Sequence, residues 1–586
     1  MIGIASDSLI PINEDFKISA GPGAGKTHWL VNHIKNVLQH SDKLGSYKKI
    51  ACITYTNVAV DTIVKRLDFV ADRVEVSTIH GFLYKHIIRP YMAFIADYYG
   101  FNVKKMDGHD DHNISRGRIV DWIKRHPNVS SLRHPYTVNQ LTQLNQNLIA
   151  IGNWLQSLGY KLEESGIAIS IDNGKAFHLE TGSRVNLSKT NCLDKLATDL
   201  FGYKKTFWEK GILHHDDVLY FTFLLLKKFP FILTVLRAKF PYFFIDEFQD
   251  TSPIQTEIVK MISTTGTVIG VIGDRAQSIF SFQGANPDLF TGFSTPSMVN
   301  YLIKDNRRSS NQVVGLLNRI RTDIKQDPVR NVDGASVKIL VGSVEDAFNH
   351  VIEVCAGEEF VSLSRDNTTS NILRRQSNSG LLAINLLDAW NIKDSNGDRR
   401  NTALRSMKAL ELGRQKRFKE SIQEMSKNYY SIKDRNEQKK VALAKISLLL
   451  SSYSNFRGQP LFAFYELVKS AVDISLSGMR AGAIKDFYDS YTYDQVADFI
   501  NIPEDDSWSR TIHKAKGDEF DNVLMVINHE SNLSFLLNPN LSSEEQRVYY
   551  VGASRSRERL FINVPTLAAA NEISLSPLAD ILHLTT

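Results

Sequence analysis

The sequence predicts an α/β protein of two discontinuous domains, each built on a parallel sheet and each interrupted by a mostly helical insertion. Three observations carry this. The chain has 586 residues, room for about four domains at a typical ~150 residues each. Runs of four or more apolar or β-branched residues, as in PYFFIDE (241–247) and TVIGVIGD (267–274), mark strands covered on both faces. Such runs alternate with helix-period stretches in two parts of the chain and are lost between them.

Taken in order, residues 1–85 open the first domain with strands at Phe16 to Ala20 and Lys48 to Tyr55, each followed by helical sequence in the rhythm of a βαβ unit. Residues 86–204 lose that rhythm to polar loops such as MDGHDDHNISRG and HPNVSSLRHP, which predicts a first helical insertion. The sheet pattern returns over 205–300. The second domain starts in 301–375 with strands VKILVG and FVSLS, is interrupted by helix-forming residues 376–505, and resumes over 506–586 with VLMVINHE (523–530) and LFINVP (560–565). Inside the second insertion, Arg399 to Lys419 holds eight Lys or Arg and a single acidic residue, Glu411. Such a run is either a solvated helix face or a nucleic-acid contact. The insertion's LLAINLLDAW and ISLLLSSY stretches suit either a partner interface or a private helical core.

Composition narrows the class. Hydrophobic residues are 43% and charged residues 23%, which excludes fibrous and wholly disordered chains. A net charge of +5 permits an anionic partner without demanding one. Cys52, Cys192 and Cys355 stand too far apart for a zinc knuckle or a disulfide framework, as suits a reducing cytosol. With no apolar run near ~20 residues and no basic-then-apolar leader, a soluble cytoplasmic protein is expected.

Two motifs carry chemistry. Ala20-Gly21-Pro22-Gly23-Ala24-Gly25-Lys26-Thr27 follows a strand and opens a helix, the context of a phosphate-binding loop. Backbone N–H groups there cradle phosphates, Gly23 and Gly25 let the chain approach the anion, Lys26 reaches the β/γ-phosphates, and the Thr27 hydroxyl suits Mg2+. Asp246 and Glu247 end the PYFFIDE strand, so Asp246 can serve Mg2+ while Glu247 activates water. Together they predict hydrolysis of a nucleoside triphosphate.

Further segments resemble the motifs of UvrD/Rep/PcrA-type superfamily 1A DNA helicases, in the order of that family. They are TYTNVAVDTIVKRL (54–67), STIHGF (77–82), HHDDVLYFTFLLL (214–226), DEFQDTSPIQ (246–255), GDRAQSIFSFQGA (273–285), DNRRSS (305–310), TIHKAKGDEFD (511–521) and YVGASRSRERL (550–560). The resemblance implies two RecA-like P-loop domains with ATP and Mg2+ bound between them. It also implies an ATP-dependent motor that runs 3′ to 5′ on single-stranded DNA and opens tailed duplexes.

Residue by residue, it implies that Arg308 and Arg555 bring cations to the phosphoryl transition state, that Gln277 senses the γ-phosphate, and that Glu519 lies near the ribose. Thr56, Asn57, His80, Phe282 and His513 match positions that touch the DNA strand; Phe280 is either a stacking ring or core. The pattern is broken in three places. No glutamine-bearing segment precedes the loop to read adenine, Arg307 stands where a base-stacking tyrosine is usual, and Gln283 where an arginine is frequent. Weak discrimination between ATP and GTP follows.

His109-Asp110-Asp111-His112 reads as a polar loop rather than a metal site, and Asp216 as a possible cap of the helix that follows. The chain carries no nuclease motif and ends about twenty residues after the last helicase strand. Compact helicases of this kind resemble those encoded beside OLD-type nucleases in Gabija-like phage-defence systems, which makes such a nuclease a candidate partner. The alternatives are a DNA-activated ATPase switch that licenses a nuclease without processive unwinding, a stand-alone repair helicase, and a nucleotide-binding scaffold. The scaffold would require loss of Glu247, Arg308 or Arg555, and all three are present.

Overall fold

The computed structural model describes residues 1–584 apart from 110–113, 181–182, 188–191, 265, 368, 371–385, 433 and 501–507. Two all-parallel sheets organise the described residues. The first runs, in spatial order, Ile2–Ile4, Val299–Ile303, Phe16–Ala20, Val268–Gly273, Tyr242–Ile245, Ile50–Thr54, Val74–Thr78. The second runs Ser509–Thr511, Phe360–Ser364, Phe520–Val526, Ser556–Val564, Lys338–Val341, Asp580–His583. Ile50–Thr54, Tyr242–Ile245 and Val268–Gly273 are buried along their whole length, which is why they read as continuous apolar runs rather than as alternation.

The two-sheet α/β class expected from the sequence is therefore the one observed. Of the strands the sequence does not reveal, Ile2–Ile4, Val74–Thr78, Ser509–Thr511 and Asp580–His583 lie at sheet edges. An edge strand is covered on fewer sides and needs no apolar run. Within 86–204, helices such as Arg116–Arg125 and Asn145–Gln156 are joined by two antiparallel hairpins that periodicity did not show: Gly159–Glu163 with Gly166–Ser170, and Phe177–Glu180 with Ser183–Asn186. No single helix among the described residues is long and apolar enough to cross a membrane.

The cores explain how these parts hold together. One cluster runs from Ala51, Phe243 and Ile269 on the first sheet through Phe82 and Ile88 to Trp122, Trp154 and Trp208, so the first insertion shares its core with one face of that sheet. The second insertion has its own, centred on Trp390, Met407, Phe464, Tyr465 and Tyr493. Leu386, Trp390, Ile446 and Leu449 of its two apolar stretches lie in that core, while 381–385 fall outside the described residues. In the basic segment, Arg399 is buried and pairs with Asp394 at 2.6 Å, Arg400 is buried, and Arg414 pairs with Glu411 and lies 4.1 Å over the Tyr453 ring. These arginines hold the helical insertion together.

A buried carboxylate ties the first insertion down. Asp217 accepts from Tyr160 Oη at 2.7 Å, Trp208 Nε1 at 3.1 Å and the His214 backbone N–H at 3.0 Å, and pairs with Lys204 at 3.0 Å. It is Asp217, not the exposed Asp216, that caps the helix His215–Lys228. Burial opposes its charge, yet Lys204, His214 and Tyr160 outweigh burial and hold the carboxyl below its usual range. The stability it contributes is thus present above about pH 4 and lost as pH falls further. Lys204→Met, which strands that charge, is expected to cost about 3–5 kcal/mol in a urea unfolding experiment at neutral pH.

Candidate active site

In a parallel sheet, the loops that leave the carboxyl ends of the strands gather on one rim. The first sheet places there the loop after Phe16–Ala20, Asp246 and Glu247 after Tyr242–Ile245, Asp274 after Val268–Gly273, Thr56 and Asn57 after Ile50–Thr54, and His80 after Val74–Thr78. One edge of one sheet thus collects most of the residues singled out in the sequence.

The phosphate loop turns at Gly23 (φ 68°) and Gly25 (φ 77°), both left-handed, and leads into the helix Lys26–His40. A Cβ at Gly23 would lie 2.7 Å from Arg308 Cβ and 2.8 Å from Asn306 Oδ1, so the loop is already closed on by the second half of the chain. The Arg307 N–H donates to Gly23 O at 2.9 Å and Gln326 Nε2 to Pro22 O at 2.8 Å. Lys26 Nζ stands 4.0 Å from Glu247 Oε1, and Thr27 Oγ1 donates to Asp246 Oδ2 at 3.4 Å.

The acids are arranged unequally. Burial and the neighbouring Glu247 push the Asp246 carboxyl up. Glu247 is also opposed by burial, but Lys26, Lys516, Gln249 and Arg555 prevail and keep it ionised. Its backbone is left-handed (φ 54°), a conformation that costs a non-glycine residue roughly 1–3 kcal/mol. Gln249 Nε2 donates to Glu247 Oε2.

The second half of the chain supplies the cations, Arg308 after the short strand Asp305–Asn306 and Arg555 just before Ser556–Val564 of the second sheet. Arg555 is 2% exposed and reaches Gln277 Oε1 at 3.3 Å. Arg308 donates to Glu519 Oε2 at 2.9 Å and to Ser554 O at 3.0 Å, so Glu519 is an arginine partner here. Burial and Arg308 both work against the charge of Arg555, leaving two guanidinium groups whose repulsion an anion between them would relieve. Lys26, Arg308, Arg555 and the loop amides therefore fit a polyphosphate, and Thr27 with Asp246 offers the oxygen ligands that Mg2+ takes. Arg307, which stands where a base-stacking tyrosine is usual, is ion-paired to Asp7 at 3.0 Å and Asp305 at 3.2 Å. Asp7 also meets His28 Nε2 at 3.0 Å, so the segment upstream of the loop does reach the site.

Several site residues were not singled out in the sequence. Lys516 Nζ pairs with buried Asp250 and donates to Gln277 O at 2.7 Å. Arg321 Nη1 lies 2.7 Å from Asp274 Oδ1, with both side chains buried. Asp250, Asp274 and Lys516 sit inside the quoted motifs, but nothing in their spacing names their partners. Arg321 lies outside every motif.

On the expected DNA track, Phe282 is 68% exposed, its ring 5.6 Å from that of His513. Phe280 is core: it stacks on Tyr55 at 4.9 Å and lies beneath Lys516 Nζ. Tyr55 Oη donates to Gln283. Thr56 caps the helix Asn57–Leu67 by accepting from the Ala59 N–H at 3.2 Å, and Asn57 is exposed beside it. His80 packs instead with His215 and His109, whose rings are 5.3 and 6.2 Å away. Asp110 to His112 lie outside the described residues, and among the described residues no group of three His, Cys, Asp or Glu is placed to hold a metal ion.

A strand–loop–helix phosphate cradle, an acid pair on the next strand but one and arginines from the second half of the chain define a P-loop nucleotide-binding protein built on two parallel sheets. The family model described as UvrD/REP helicase N-terminal domain matches residues 5–297, and the UvrD-like helicase C-terminal domain matches residues 298–565. The chain belongs to the UvrD/Rep helicase family. It is 24% identical to Gabija protein GajB of Bacillus cereus over 56% of this chain and 51% of that protein. It is 29% identical to the ATP-dependent DNA helicase Srs2 of Schizosaccharomyces pombe over 46% of this chain and 28% of that protein. With the ATP-dependent DNA helicase PcrA of Staphylococcus aureus, identity is 26% over 54% and 39%. The matches span about half or less of these relatives' lengths.

Burial lowers the pKa of His80 to about 3, with His215 and His109 adding to it, and that of His513 to about 4, with Arg365 adding to it. Both rings are neutral near physiological pH. Wild type and a His80→Gln/His513→Gln variant are therefore expected to show the same pH slope of single-stranded DNA affinity between about pH 8 and about pH 6, read by fluorescence anisotropy at fixed salt.

Proposed function

We propose that the chain is an ATP-driven motor that moves 3′ to 5′ along single-stranded DNA, opens tailed duplexes and works beside a nuclease partner. The observation that carries this is the meeting of Lys26, Glu247, Gln277, Arg308 and Arg555 at one cleft, with two residues of the set supplied by the second half of the chain. Ionised Glu247 takes a proton from the attacking water, while Lys26, Arg308 and Arg555 offset charge that spreads over the phosphoryl oxygens. Thr27 and Asp246 would hold Mg2+, which when bound would add to the neutralisation of that charge. Gln277 touches Arg555 across the cleft and so links the state of the site to the distance between the sheets. Exposed Phe282, beside His513, offers an aromatic face on which a base can stack without sequence choice.

Direction rests on the QSIFSFQGA and TIHKAKGDEFD segments, which match the 3′-to-5′ branch. Similarity to Gabija protein GajB favours a helicase subunit paired with an OLD-type nuclease. The same similarity suits a second reading, an ATPase switch that licenses the nuclease without unwinding. Strand-displacement assays run beside ATP turnover separate the two.

Lys26→Ala and Glu247→Gln should each abolish DNA-stimulated ATP hydrolysis while leaving single-strand binding intact; turnover at the wild-type rate in either would refute the site. A duplex with a 3′ single-stranded tail should be opened and one with a 5′ tail should not, and the reverse preference would overturn the polarity.

A further inference from the structure

We propose that Arg321 is a positioning residue that holds the γ-phosphate sensor Gln277 and the water-activating Glu247 in register with the cations of the second half of the chain. The inference rests on the hydrolytic reading above. Arg321 follows the helix Asn311–Ile320, whose Val313, Leu316, Leu317 and Ile320 belong to the core of the second sheet. Its partner, Asp274, ends the central strand Val268–Gly273 of the first sheet. The pair thus crosses from one body to the other, with side-chain exposures of 2% and 0%.

Asp274 is the junction of the active-site hydrogen bonds. Oδ2 accepts from Arg321 Nη1 at 2.8 Å and from Gln277 Nε2 at 2.6 Å, and Oδ1 accepts from the Ala276 N–H at 3.1 Å. Its own N–H donates to Gln249 Oε1 at 2.9 Å, and Gln249 Nε2 donates onward to Glu247. A glutamine amide has distinct ends, one donating and one accepting. With its NH2 on the Asp274 carboxylate, Gln277 must turn its oxygen toward Arg555, which donates to it. The Asp274 carboxylate therefore sets which way Gln277 points.

A carboxylate shut away from water needs a bonded cation, because an unpaired buried charge is costly enough to force the structure around it to rearrange. Arg321 is the cation bonded to it, and its Nε and Nη2 are fixed in turn by Asp323 at 2.7 and 3.2 Å. Without Arg321 the buried Asp274 loses its bonded cation and its fixed place, and with it go the orientations of Gln277, held by the carboxylate, and Gln249, held by the backbone N–H. Arg321 itself need touch neither nucleotide nor water to matter.

The test is steady-state ATP hydrolysis at saturating single-stranded DNA for wild type, Arg321→Met and Arg321→Lys, with unfolding midpoints recorded to count folded protein. Arg321→Met should lower kcat by on the order of tenfold to a hundredfold, the scale of a small misplacement of reacting groups, with KM for ATP nearly unchanged. Arg321→Lys, which keeps a cation on Asp274, should recover most of kcat. A purely structural role would lower the midpoint and leave kcat per folded molecule at the wild-type value, and that result, or a loss confined to KM, overturns the proposal. Should Arg321→Met fail to fold, Arg321→Gln takes its place with the same expectation. A wild type no faster than Lys26→Ala would overturn the motor itself and this inference with it, a failure recognisable without any Arg321 variant.

Discussion

Two ion pairs shut away from water, Asp274 with Arg321 and Asp250 with Lys516, join the first sheet to the second, and the site exists because they do. Each takes two charges out of solvent at a cost of several kcal/mol per ion, repaid only while geometry and hydrogen bonds stay good. Burial raises the Asp250 carboxyl to about 6 even with Lys516 beside it, a sign of how closely cost and gain are matched. An interface so nearly balanced is one that a bound anion can tip, since a ligand shifts an equilibrium only by the difference in its affinity for the two states. The arginines that face the phosphate loop, held meanwhile by carboxylates such as Glu519, are groups through which an anion could supply such a difference.

The strain at Glu247 belongs to the same logic. A left-handed backbone at a glutamate persists only where its surroundings fix it, and here Gln249, two residues on, grips the carboxylate while the Asp246 carboxylate accepts from the Glu247 N–H at 3.0 Å. Gln249 is in turn held by the Asp274 N–H. The unfavourable turn is supported by hydrogen bonds whose far end is the backbone at the end of Val268–Gly273, the central strand of the first sheet.

Much of this was legible in the sequence, and the boundary of legibility has physical causes. Buried parallel strands announce themselves as apolar runs, and a phosphate loop announces itself because few residues tolerate its turns and its close approach to an anion. The same directness pointed to Lys26, Thr27, Asp246 and Glu247, whereas Gln277 and Arg555 came only from the resemblance to the helicase family. Pairings between distant charges leave no such mark: Asp274 and Arg321 are forty-seven residues apart, and Arg307 pairs with Asp7 three hundred residues away. Edge strands and the hairpins of the first insertion escaped because half-exposed β-structure has no sustained run. The arginine-rich helix looked like a free cationic face because burial of a guanidinium against Asp394 cannot be read from charge counts.

The segment that follows Asp274 is covalently part of the first half and by packing part of the second. Ala276, Ile279, Phe280 and Ala285 lie in the same apolar cluster as Ile512, Tyr550 and Leu317, and Arg547 Nε donates to Ser278 O at 2.6 Å. The border between the two family matches, at residues 297 and 298, is therefore not a border of folding. A fragment begun there would have a core lacking four of its apolar groups, and the complementary fragment would carry those groups bare to water. Anyone dissecting this chain into halves for reconstitution would have to graft residues 276–285 onto the second piece, or accept two sticky fragments that recover their solubility only by finding each other.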